Sequence, residues 1–185
     1  PATNENLPAF AYWILALISA VLLFASLLAH ELSHSIVAQQ NGLPINGITL
    51  FIFGGVAQME KEPSTPGIEF KMAIAGPVMS FSLAFLFFLI TGVLSASNLP
   101  SYTYSISNYL FMVNLIIGIF NLVPGFPLDG GRVLRSALWF IFKDLKFATK
   151  VASTFGKGFA LLLMGFGILN LFEGFVISGI WYIFI

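Results

Sequence analysis

The sequence predicts an all-α membrane protein, a polytopic bundle of transmembrane helices with a short membrane-associated β-ribbon between its first two spans. Three observations lead there. Of the 185 residues, 58% are hydrophobic and 9% charged, and the mean hydropathy is +0.93, far from the average of a soluble domain. Long runs carry no charge at all: 21 residues from Ala9 to Ala29 and 57 from Met72 to Leu128. The 8 basic residues, Lys61, Lys71, Arg132, Arg135, Lys143, Lys146, Lys150 and Lys157, all lie on the connections after the first run or around residues 130–157.

As a helix, the run from Ala9 to Ala29 reaches roughly 31 Å at about 1.5 Å per residue, enough to cross a bilayer core. It is too long for a signal-peptide core, has no basic flank and precedes no small-residue cleavage site. The first span is expected over about 9–37. In the connection that follows, residues 48–59 are rich in β-branched and aromatic side chains and are interrupted by Gly54 and Gly55, the pattern of a short hairpin or bulged ribbon. Strand backbone cannot face lipid unpaired, so this ribbon belongs at the interface or against the helices. Glu60, Glu62 and Glu69 fall to the charged end of the same loop.

A second span is expected over about 70–94, with Gly76-Pro77 as a kink or helix start. The polar turn "SASNLPSYTYSISN" separates it from a third span over about 104–123. Pro124 and Pro127 then impose a non-helical segment, tolerated at membrane depth only where it is buried or lines a wet cavity. A short helix (130–142), a lysine-rich solvated turn containing Asp144, and spans over about 151–171 and 174–185 complete the chain. The start at Pro1 and the apolar run that stops at Ile185 read as the core of a longer protein.

Basic residues mark cytoplasmic connections. The loop after the first span and the segment around 130–150 are therefore expected on the cytoplasmic side, with Arg132 and Arg135 as anchors there. The first and third spans then both run inward. They end in "HELSH" and "NLVPGFPLDGGR", so two polar clusters lie near the cytoplasmic face. Zero net charge points away from a nucleic-acid partner, and the absence of cysteine removes disulfides and thiolate metal sites.

His30 and His34 are the only histidines, one helical turn apart, a spacing at which two imidazoles can share one zinc ion with Glu31 beside them as base toward a water. The competing reading, a pair of packing histidines, conflicts with the cost of ionisable groups in a span. A catalytic zinc site wants three protein ligands and an open position. Glu5 and Glu173 lie on the opposite side of the membrane by the same orientation, and the other acids sit in charged loops, which leaves Asp129. Asp129 is equally well placed to be the N-cap of the short helix, and spacing does not choose between the two roles. Asn114, Gly118 and Asn121 share a helix face: Asn114 suits interhelical hydrogen bonding, and Asn121 either that or donation to a substrate carbonyl or developing oxyanion. A metal transporter or sensor using His30, His34 and Asp129 is the alternative from another class. It would call for ionisable groups across the whole depth and two related halves, whereas here the polar groups gather at one depth.

Taken together, His30-Glu31-Leu32-Ser33-His34, "FGG" at 53–55, "AGP" at 75–77 and "NLVPGFPLDGG" at 121–131 resemble the site-2 protease family of intramembrane zinc metalloproteases, prokaryotic type, over about residues 9–185. The resemblance implies one zinc per chain held by His30, His34 and Asp129. It implies Glu31 as general base and Asn121 as a residue of substrate engagement. It also implies an endopeptidase domain over 1–185 that cuts single-pass transmembrane proteins within the bilayer of a prokaryotic cell. An exposed ribbon edge would suit an unwound substrate added as a strand. Relative to the family pattern, this chain shows no span before the HExxH helix, no inserted PDZ domain and no nucleotide-sensing CBS pair.

Overall fold

The structure, a computed structural model, describes residues 7–51, 54–59, 62–97 and 99–184. Phe53 of "FGG", and Glu5, Glu60 and Lys61, lie outside the described residues. Along the chain come α1 (Ala9–Gln40), β1 (Ile45–Phe51), β2 (Gly54–Met59), α2 (Pro66–Ala96), α3 (Tyr102–Asn121), α4 (Asp129–Phe142), α5 (Leu145–Phe172) and α6 (Val176–Phe184). Four of these, α1, α2, α3 and α5, are long and apolar enough to cross a membrane, which makes this a multi-pass membrane protein.

The side chains are distributed as lipid requires. Phe10, Trp13, Leu17, Val21 and Phe24 of α1 are exposed, while the buried apolar set is made largely of small residues such as Ala38, Ala73, Ala84, Ala148 and Ala152. Where the surroundings are as apolar as leucine, helices gain by close backbone approach and interhelical hydrogen bonds rather than by hiding large side chains.

The contacts divide the chain into two compact units, residues 1–63 with 74–121, and residues 64–73 with 122–185. In the first unit, β1 and β2 form an antiparallel two-stranded sheet, with Thr49 opposite Val56 and Phe51 opposite Gly54, and an irregularity in register between Ile45 and Gly47. Their backbone lies against α1. Three helices are tied by polar contacts: Asn114 of α3 donates to Ser26 Oγ of α1 at 3.2 Å, and Thr91 of α2 donates to Ser107 Oγ of α3 at 2.8 Å. Gly118 of α3 lets the Phe81 ring of α2 come into direct contact.

In the second unit, α2 begins at Pro66, so Glu69 stands in a first helical turn rather than in a loop. It is 1% exposed and forms a buried ion pair with Arg135 of α4, whose Nε donates to Glu69 Oε1 at 2.6 Å. Arg135 is therefore not a solvated anchor. Burial of either charge alone would be costly, and the pairing through Oε1 offsets that cost. The guanidinium also stands 5.3 Å from the centre of the Phe126 ring, in the segment before α4. Asp144 caps α5 by accepting from the Phe147 N–H at 3.0 Å.

Backbone meets backbone around residues 122–131. A Cβ on Gly130 would strike the carbonyls of Leu122 and Val123, one on Gly131 would strike Gly125 and Phe126, and one on Gly156 would strike the Phe126 carbonyl. Gly167 of α5 and Gly179 of α6 make a similar close approach. Gly156→Val is expected to keep the helices but cost about 1–3 kcal/mol of stability through overpacking, read as a lowered thermal midpoint in detergent. An unchanged midpoint would show that α5 yields easily there.

Candidate metal centre

One face of α1 is polar where the rest is apolar. Ser26, His30, Glu31, His34, Ser35 and Ala38 are its buried residues, recurring at spacings of one, three and four so that they line one stripe toward the C-terminal half of the helix. His30 is 3%, His34 7% and Glu31 9% exposed. Imidazoles and a carboxylate held this deep must be matched by partners, since an unsatisfied polar group in an apolar setting costs several kcal/mol.

The histidine pair is arranged for a shared ligand. His30 Nε2 and His34 Nε2 are 3.2 Å apart, with ring planes inclined at 73°. Two imidazole nitrogens on one tetrahedral zinc, each at about 2.0–2.1 Å, would stand roughly 3.3 Å apart, so the pair fits such an ion without rearrangement. On its other side, His30 Nδ1 is 2.8 Å from Ser80 Oγ of α2, and Ser80 is 1% exposed. With the proton on Nδ1 donated to Ser80, Nε2 presents its lone pair. The serine thus holds the orientation of the ring.

Gly76 completes this part of the centre. It lies inside α2, ten residues beyond the helix start at Pro66, and a Cβ there would collide with both Nε2 atoms. Of the two expectations for Gly76-Pro77, a kink or a helix start, the second is corrected: Pro77 is buried within the helix, and the glycine leaves the space in which the two nitrogens converge. Pro77 has no N–H to return to the carbonyl one turn back, which weakens the helix ladder beside that space.

Asn121 ends α3 and is half-buried; one of its amide hydrogens goes to the Ile117 carbonyl at 3.0 Å, leaving a second to donate elsewhere. Asn114 is fully buried, with Nδ2 on Ser26 Oγ and on the Leu110 carbonyl. Asp129, in the other compact unit, is half-buried and is the first residue of α4. The cap position is Leu128, and Asp129 stands in the first turn. A carboxylate in the first turn is favoured there by the helix dipole.

Gly76, Ser80 and the Glu69–Arg135 pair escaped the reading of the sequence. The "AGP" triplet inside an uncharged run was a usable signal for the first, because glycine before proline in a helix interior is doubly costly unless close approach requires it. No comparable signal marks Ser80 among the serines of α2.

The sequence pattern of Peptidase family M50 matches residues 18–105 and 93–165, and the chain belongs to that family, the family of the site-2 proteases. It is similar to the protein Rip3 of Mycobacterium tuberculosis, 40% identical over 185 residues, covering 100% of this chain and 47% of the relative. It is also similar to the zinc metalloprotease MJ0392 of Methanocaldococcus jannaschii, 40% identical over 153 residues, 82% of this chain and 43% of the relative. Among solved structures it is similar to a site-2 protease from Methanocaldococcus jannaschii, with a TM-score of 0.69 and 36% identity over 89% of this chain and 73% of that one. The chain spans about half the length of the curated relatives it matches.

Gly76→Ala is expected to retain helix content by circular dichroism yet weaken zinc binding by at least about tenfold, and Ser80→Ala to weaken it by roughly tenfold, as loss of a ligand's supporting hydrogen bond does. Chelator competition measures both. Unchanged affinity in Gly76→Ala would mean that the nitrogens do not converge on a metal at that point.

Proposed function

We propose that residues 1–185 form the single catalytic domain of an intramembrane zinc endopeptidase, in which His30, His34 and Asp129 hold one zinc ion. The observation that carries this reading is the 3.2 Å separation of the two Nε2 atoms beside a glycine that leaves the point of convergence open. Membership of family M50 and the zinc metalloprotease name of MJ0392 support the metal. Two imidazoles and one carboxylate are a catalytic zinc ligand set, leaving a position for water or substrate. Zinc, when bound, supplies Lewis acidity toward the scissile carbonyl and toward the hydrolytic water.

The remaining work belongs to side chains of this chain. Glu31 follows His30 on α1 and is buried with it; it takes the proton from the attacking water and returns it to the leaving amine nitrogen. Asn121, with an amide hydrogen to spare after its bond to Ile117, donates to the substrate carbonyl as charge develops on the oxygen. Hydrolysis needs an exposed peptide bond, and a peptide bond in a helix is shielded by its own ladder, so a transmembrane substrate must unwind first. The two-stranded sheet offers an edge on which a single-pass substrate, locally extended, can add as a further strand at the membrane. With basic residues on the connections after α1 and around α4 and α5, the site faces the cytoplasmic side of a prokaryotic cell membrane.

Glu31→Gln is expected to lower cleavage of a single-pass reporter substrate by at least about 100-fold while bound zinc remains equimolar with protein. Cleavage at the parent rate would sink the proposal. Zinc uptake into sealed vesicles that survives Glu31→Gln would favour the transporter instead.

A further inference from the structure

A buried charged pair has no role in the chemistry above. Arg135, which lies on α4 six residues after Asp129, makes two contacts: the Glu69 carboxylate from the start of α2 and the Phe126 ring from the segment before α4. Phe126 lies three residues before Asp129. One guanidinium therefore grips the chain on both sides of that aspartate, with its face over the aromatic ring and its edge on the carboxylate, a combination that arginine permits and lysine does not.

The segment between Asn121 and Asp129 needs such a grip. Its bonds Gly125 N–H to Val123 carbonyl, 2.8 Å, and Leu128 N–H to Gly125 carbonyl, 3.0 Å, are local turns, and its bond from Phe126 N–H to the Ala152 carbonyl is long at 3.4 Å. At Gly130, Gly131 and Gly156 the segment lies in close backbone contact with its neighbours. Glu69 adds a second fixed point, since it stands in the first turn of a regular helix, α2. A metal ligand displaced by an ångström is no longer a ligand, and the carboxylate of Asp129 has its approach set by this segment.

We propose that the Glu69–Arg135 ion pair, with Phe126 beneath the guanidinium, is a positioning clamp that holds Asp129 in register to ligate the metal. The clamp rests on the assignment of Asp129 as a ligand, and its test separates the two. Full-length protein carrying Arg135→Lys, and the neutral pair Glu69→Gln with Arg135→Gln, are compared with parent and with Asp129→Asn for zinc affinity by chelator competition, with helix content and thermal midpoint recorded alongside.

The clamp predicts that both pair variants keep their helix content and bind zinc roughly tenfold more weakly, the lower end of what loss of a ligand's support costs. It also predicts non-additivity: in the Asp129→Asn background, neutralising the pair lowers affinity no further, because the pair acts only through that carboxylate. An additive loss would overturn the clamp, since a general structural weakening acts with or without Asp129. Zinc affinity within twofold of the parent in the pair variants would overturn it as well. So would loss of fold in both, which would make the pair a support for the whole unit. If Asp129→Asn itself binds zinc like the parent, the ligand assignment fails and the clamp with it.

Discussion

A polar or ionisable group that leaves water inside an apolar chain must find its partner within the protein, and this requirement organises the molecule. His30, Glu31, His34, Glu69 and Arg135 are all buried in a chain whose exterior is phenylalanine, leucine and isoleucine. His30 meets Ser80 and His34, and Arg135 meets Glu69. Each partnership fixes the elements that bear it, because separating the partners would strand a polar group at a cost of several kcal/mol. In a soluble domain the same task falls to a large apolar core; here the buried apolar residues are mostly alanines.

Small residues are the other half of the arrangement. Gly76 brings α2 onto the imidazoles, while Gly130, Gly131 and Gly156 let the segment before α4 lie against neighbouring backbone. Each glycine gives up helix propensity, roughly 1 kcal/mol relative to alanine, in exchange for a distance that no side chain would allow. That exchange suits a membrane protein, whose helices gain more from proximity than from bulk. The absence of cysteine rules out disulfides as an alternative means of holding helices together.

Much of this was legible from sequence because periodicity and charge act locally. The histidine spacing places both rings on one helix face whatever surrounds them, and uncharged runs of 21 and 57 residues admit few readings besides membrane spans. Glu69 and Arg135 were misread for a definable reason. Both adjoin other charges, so Glu69 read as part of a charged loop and Arg135 as a cytoplasmic anchor, and only the start of α2 at Pro66 carries Glu69 into a helix and its carboxylate onto Arg135. That pairing spans 66 residues of sequence, a separation at which no local pattern informs. The part Gly76 plays was not legible because a glycine-proline pair ordinarily marks a kink or a boundary; its meaning here depends on a neighbouring helix. The hydroxyl of Ser80 was invisible for the same reason, being one serine among several until His30 Nδ1 is set against it.

The central claim is that two imidazoles and one carboxylate of this chain surround a single zinc ion. X-ray absorption at the zinc edge, recorded on the zinc-loaded protein, tests it most directly. The account predicts nitrogen and oxygen neighbours at about 2.0–2.1 Å with the outer-ring scattering of two imidazoles, reduced to one in His34→Ala. A spectrum without imidazole scattering, or one unchanged in His34→Ala, would contradict it.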